Sequence, residues 1–173
     1  MLSRNDKAEA LFIRASEQWE KKNLRSAFRL FMAAAKLGDS GAQVNLGYFY
    51  DTGIAVKSNR EAALRWYRKA YKAGMAVAAS NIGTIYRDER KLDKAAAWFL
   101  RAVALGDPEP NLDLAKIYRQ EGHDAQKIIA CLDAVHRAKR DAVTPAGRTE
   151  AQKLLREFRA SERRSVRNIW KKR

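Results

Sequence analysis

Residues 40–75, SGAQVNLGYFYDTGIAVKSNREAALRWYRKAYKAGM, decide the architecture, because they spell two amphipathic helices separated by a run of turn formers. Ala42, Leu46, Gly47 and Tyr50 stand at i, i+4, i+5 and i+8, one face of a helix that turns every 3.6 residues or roughly so. Asp51, Thr52 and Gly53 break the pattern, and Ser58 followed three residues on by Glu61 predicts the start of a second helix. There Ala63, Tyr67, Ala70 and Tyr71 share a face, and Gly74 closes the helix as a residue able to take positive φ. The stretch reads as a helical hairpin.

The hairpin recurs. Asn45-Leu46-Gly47-x-x-Tyr50 returns as Asn81-Ile82-Gly83-x-x-Tyr86 and as Asp113-Leu114-Ala115-x-x-Tyr118. Ala63-x-x-Trp66-Tyr67-x-x-Ala70-x-x-x-Gly74 returns as Ala95-x-x-Trp98-Phe99-x-x-Ala102-x-x-x-Gly106, and upstream as Ala27-x-x-Leu30-Phe31-x-x-Ala34-x-x-x-Gly38. Four repeats follow, 8–39, 40–75, 76–107 and 108–139, with the extra length of the second in its inter-helix loop. In this frame Cys131 falls where the other repeats place Phe31, Tyr67 or Phe99, and so reads as a packed thiol.

This pattern resembles the Sel1-like repeat, a relative of the tetratricopeptide repeat. The second repeat carries it as Ala42, Leu46-Gly47, Tyr50, Gly53-Ile54-Ala55-Val56, Asn59, Ala63, Trp66-Tyr67, Lys69-Ala70 and Gly74. It departs at Ala55, where the family has a second loop glycine, and at Asn59, where aspartate is usual. Alanine at 55 predicts a position with no need for positive φ. The resemblance implies an all-α chain, a right-handed α-solenoid of four hairpins stabilised by nearest-neighbour packing.

Beyond the fourth repeat, Thr144-Pro145 predicts a helix start, and Ala151, Leu154, Leu155 and Phe158 form a stripe suited to a capping helix over 140–160. Residues 1–7 read as a short polar arm without the apolar run of a signal peptide, and a single cysteine excludes an internal disulfide. These features predict a cytoplasmic protein. The formal charge is +15, and from Lys153 onward nine Lys or Arg face only Glu157 and Glu162. A basic tail, 161–173, is therefore expected. It is either a solvated extension or a polyanion site built on Arg159, Arg163, Arg164, Arg167, Trp170, Lys171, Lys172 and Arg173, for nucleic acid or an anionic membrane surface.

No catalytic constellation is legible. His123 and His136 are the only histidines, His136 does not share a helical face with Cys131, and there is no metal-ligand spacing, nucleophile elbow or phosphate loop. A non-enzyme without a cofactor is expected, one that works through a surface. The resemblance implies a concave groove lined by the first helix of each hairpin. Positions two residues off the packed stripe, about 200° around the helix, are Val44, Asn45, Tyr48 and Asp51. Their counterparts are Phe12, Ile13, Ser16 and Trp19, then Ser80, Asn81, Thr84 and Arg87, then Leu112, Asp113, Lys116 and Arg119. Phe12, Trp19 and Tyr48 make one end aromatic, Arg87, Lys116 and Arg119 make the other basic, and Asn45 and Asn81 lie between them.

The expectation is an adaptor or scaffold that binds an acidic protein segment with an apolar anchor. The asparagines either bond the backbone of that segment or steady their own helices. A polyanion-binding protein acting through its tail is the alternative. By resemblance alone, so is a bacterial immunity or assembly-factor protein held on a cognate effector.

Overall fold

A computed structural model describes residues 3–170, with side chains to residue 161, and the closing glycines end their helices as the sequence predicts. Among these residues the chain forms α1 (Arg4–Glu20), α2 (Leu24–Leu37), α3 (Ser40–Thr52), α4 (Arg60–Lys72), α5 (Ala76–Asp88), α6 (Leu92–Ala104), α7 (Asn111–Gln120), α8 (Ala125–Arg137) and α9 (Pro145–Trp170). No strand occurs among the described residues, and the architecture is of the α-solenoid class.

Local chemistry sets the helix ends. Ser3 and Asp6 form a reciprocal capping box on α1, and the carboxylate of Asp39 accepts from the amide of Ala42 at 2.6 Å to cap α3. Asn59, rather than Ser58, caps α4 by accepting from the amide of Ala62 at 2.9 Å. The Ser58 hydroxyl instead donates to the carbonyl of Asp51 at 3.1 Å, pinning the loop to the end of α3. Gly38, Gly74 and Gly106 all adopt positive φ. Each time the residue after the glycine donates back to the helix, Asp39 to Ala34, Met75 to Ala70 and Asp107 to Ala102.

The chain divides into two compact parts, Met1–Glu89 and Arg90–Arg173. In the first, α1 to α5 pack each on the next. Its interior is a mesh of rings. Phe31 and Phe49 are essentially fully buried, and Trp19 stands edge-on to Phe49 at 4.8 Å and to Phe31 at 6.3 Å. Phe28 meets Phe49 at 5.4 Å. The loop inserted in the second hairpin belongs to this core, because Ile54, Ala55 and Val56 fold back against it. Gly47 is required here, since a methyl at that position would overlap the Tyr67 ring. In the second part α6 to α9 again pack in sequence, around Phe99, Leu114, Tyr118, Ile128, Leu132 and Val135.

Four sequence expectations are corrected. Ala55 adopts φ +62°, so this loop position does take the left-handed conformation that the family's glycine would occupy without strain. The packed face of each first helix is wider than the stripe read from the sequence: Phe49, Ile85 and Ile117, three residues after Leu46, Ile82 and Leu114, are buried. Leu112, expected in the groove, is buried as well. In α8 the buried residues are Ile128, Leu132 and Val135, each one residue later than the repeat frame predicts. Leu132 takes the place of the aromatic, and Cys131 is only half-buried. The cause is one extra residue between Gly122, which has φ +70°, and the start of α8.

The last helix begins as Thr144-Pro145 predicts. The Thr144 hydroxyl accepts from the amide of Gly147 at 3.1 Å and donates to Glu109 at 2.6 Å. Arg148 then satisfies the end of α8, donating to the carbonyls of His136, Ala138 and Lys139 at 2.7, 2.9 and 2.9 Å and to that of Val135 at 3.5 Å. The helix does not stop at 160; its backbone continues to Trp170.

Candidate functional site

In the first part, α1, α3 and α5 carry twelve of the residues expected to line a groove, and they divide into packed and presented groups. Phe12 is half-buried edge-on to Phe31 at 5.6 Å, so much of its ring belongs to the core. Trp19 is likewise half-buried, yet its remaining edge meets Tyr48 at 5.8 Å. Tyr48 is 40% exposed and Ile13 is 51% exposed, while Leu46 and Phe49 on either side of Tyr48 are fully covered. An outward Tyr leaning at a tilt on a Trp anchored in the core is an apolar platform with a polar tip.

Asn81 has a partner within the fold. It hydrogen-bonds the hydroxyl of Tyr67, a bond that favours the phenolate and so has its amide donating. Burial dominates the environment of Tyr67 and lifts its phenol well above the ordinary value, with the charge of Asp51 and then Tyr48 adding to the lift. Asp51 is also raised, first by desolvation, against the attraction of Arg60 and with the repulsion of Asp88. Tyr48, Asp51, Tyr67 and Asn81 therefore form one coupled polar edge beside the platform. Asn45 is half-buried and bonds no other side chain or backbone group among the described residues. Thr84 is half-buried on α5, and Arg87 forks onto its neighbour Asp88 at 3.2 and 3.3 Å.

Lys116 and Arg119 lie in the second part, where α9 changes their meaning. Lys116 pairs with Glu150 of α9 at 2.9 Å, and Arg119 is exposed beside Leu154 and Phe158. Helix α9 thus occupies the surface onto which these two residues project. Of the tail residues, Arg159 pairs with Asp133 of α8 at 3.3 Å. The side chains of Arg163, Arg164, Arg167 and Trp170, and all of Lys171, Lys172 and Arg173, lie outside the described residues. Sequence reading assigned Leu154 and Phe158 to a covering stripe but did not find the polar ties, Lys116 to Glu150 and Arg159 to Asp133, that hold α9 to α7 and α8.

Burial pushes the Cys131 thiol up, with Lys127 partly opposing, which holds it neutral and a poor nucleophile. Among the described residues no three His, Cys, Asp or Glu side chains come together as metal ligands. None of the described helices is long and apolar enough to cross a membrane.

Known proteins match this geometry. The family model of the Sel1 repeat matches residues 19–39, 40–75 and 78–107, together half of the chain. A sel1-like repeat-containing protein, L21, of Acanthamoeba polyphaga mimivirus is 31% identical over 84 residues, which is 49% of this chain and 16% of the viral protein. A Sel1 repeat protein from Oxalobacter formigenes superposes with a TM-score of 0.69 at 25% identity, over 86% of this chain and 62% of its own. The structure of c5321, a protective antigen of uropathogenic Escherichia coli with an SLR fold, gives 0.71 at 21% identity, over 86% of this chain and 32% of its own. This chain therefore spans less than two thirds of each of these relatives. With the family model matched across α2 to α6 and the same hairpins in the solved structures, the chain belongs to the Sel1 repeat family.

Proposed function

We propose that this chain is a non-catalytic scaffold that binds a segment of a protein partner on the face formed by α1, α3 and α5. The observation that carries this reading is the exposure of Tyr48 and Ile13 in a region that buries every other large apolar side chain on the same two helices at least in part. Tyr48 is held against Trp19, so it offers contact area with little ordering cost. Asn45, without a bonding partner inside the described fold, supplies both a donor and an acceptor for an extended backbone. Arg87, at the far end of the same set, favours an acidic group in the partner. The role of a protein-interaction scaffold is the one a Sel1 repeat fold suggests.

The test compares wild-type chain with an Ile13→Ser, Tyr48→Ser double variant in affinity capture from the native lysate, in nuclease-treated and untreated halves, quantified by mass spectrometry. The expected outcome is one discrete protein captured by wild type in both halves and lost with the variant. A captured set that is identical for both chains would sink the reading.

A further inference from the structure

A cleft of about 360 Å³ opens between α8 and α9, and its chemistry is unlike that of the aromatic platform. Asp133, His136 and Arg137 form its α8 wall, and Gln152, Arg156 and Arg159 its α9 wall. Three guanidiniums thus face a single carboxylate among the described lining residues. Asp133 is engaged by Arg159, whose Nη2 reaches both carboxylate oxygens at 3.3 and 3.5 Å. Arg137 spends only its Nε, donating to the carbonyl of Asp133 at 3.3 Å, so its terminal nitrogens remain as donors. Arg156 forms no ion pair with any described residue and is exposed at the cleft. The amide nitrogen of Gln152 donates to Nδ1 of His136 at 3.2 Å, which leaves the neutral ring with its proton on Nε2, a further donor.

Like charges gathered around one carboxylate repel one another until an anion enters, and the planar donor fork of arginine matches phosphate oxygens. In the sequence Arg163 and Arg167 follow Arg159 at four and eight residues. Arginines recurring at this four-residue spacing in the sequence suit a ligand with repeated phosphates. We propose that the α8–α9 cleft binds the phosphate backbone of a nucleic acid, with Arg137, Arg156 and Arg159 as donors and Asp133 holding Arg159 until a phosphate displaces it. The site lies wholly in the second part of the chain and does not rest on the partner-binding reading of the first.

The experiment is fluorescence anisotropy of full-length chain with labelled single-stranded RNA and duplex DNA, across a salt series. Arg137→Gln with Arg156→Gln removes two exposed donors, and unchanged thermal melting by circular dichroism verifies folding. The variant is expected to weaken binding tenfold or more and to make the slope of log K against log salt shallower by about two. Asp133→Asn, which frees Arg159 and removes the opposing charge, is expected to tighten binding several-fold. Deletion of 161–173 is expected to lower affinity while preserving the difference between wild type and the double variant. Absence of wild-type binding, equal binding by the double variant, weaker binding by Asp133→Asn, or complete loss on deleting the tail would each overturn the proposal. Inorganic polyphosphate added as competitor separates the sources of phosphate. Displacement weaker than by RNA at equal phosphate supports a nucleic-acid site, and displacement as strong overturns it.

Discussion

In the first part of the molecule the interior is closed by a mesh of touching rings, whereas in the second, which buries Phe99 and Tyr118 singly, the space around α8 is closed by aliphatic side chains and tied from outside by polar anchors. Phe12, Trp19, Phe28, Phe31 and Phe49 touch edge to face, and the inserted loop lays Ile54 and Val56 over them. Around α8, Leu132 stands where an aromatic is expected, and the neighbouring helices are held by Arg148 on four carbonyls, Lys116 on Glu150 and Thr144 on Glu109. The contrast extends to the termini. Arg4 donates to the carbonyls of Leu37 and Lys36 at 3.0 and 3.3 Å from an exposed position, a lighter version of the Arg148 anchor. Where rings fill the space, packing supplies register; where smaller side chains fill it, hydrogen bonds to carbonyls must do so.

Removing a ring tests this hardest. Phe49→Ala should cost about 3–5 kcal/mol in chemical denaturation, since the ring is fully buried and has three aromatic neighbours. Hydrogen exchange should show the loss of protection in α1 to α4. If α7 to α9 lose protection equally, the two regions unfold as one cooperative piece and the contrast is only descriptive. Next comes Arg148→Ala, expected to cost about 2 kcal/mol, because it strips charge-assisted bonds from a part-buried helix end. A thermal shift smaller than that of Arg4→Ala would show that the C-terminal anchors are ornamental. The smallest effect has the opposite sign. Ala55→Gly should stabilise by about 0.5–1 kcal/mol, by relieving the left-handed backbone at φ +62°. A destabilisation would mean that the packing of the Ala55 methyl against the aromatic mesh outweighs the strain.

Much of the fold was legible because its signals are local. Asp39 and Asn59 cap within three residues, Gly38, Gly74 and Gly106 end helices within one turn, and the alanine-aromatic pattern marks each buried face. Phe49, Ile85 and Ile117 were missed because the stripe was read at i, i+4, i+5 and i+8, although their i+3 relation to Leu46, Ile82 and Leu114 was equally visible. The groove was less legible, since whether a residue packs or presents depends on a neighbour distant in sequence. Asn81 is taken up by Tyr67 and Lys116 by Glu150, and neither partner can be inferred from repeat spacing. Ala55 misled for a different reason. A residue type shows what is comfortable at a position, and the surrounding loop can impose a conformation that is not.

The extra residue before α8 also limits modular exchange. Cutting the last hairpin at the 32-residue period and splicing in the corresponding second helix from upstream would seat the donor's large side chain at the half-buried site of Cys131 and put Met32, Arg68 or Leu100, none of them buried in its own helix, at the site of Leu132. A spliced array would tolerate interchange of earlier second helices, but its final module has to be trimmed by one residue or carried whole together with Gly122, Arg148 and α9. The α7–α8 hairpin is thus keyed to α9 and to the turn between its own helices, and moving it within an array means moving or rebuilding both.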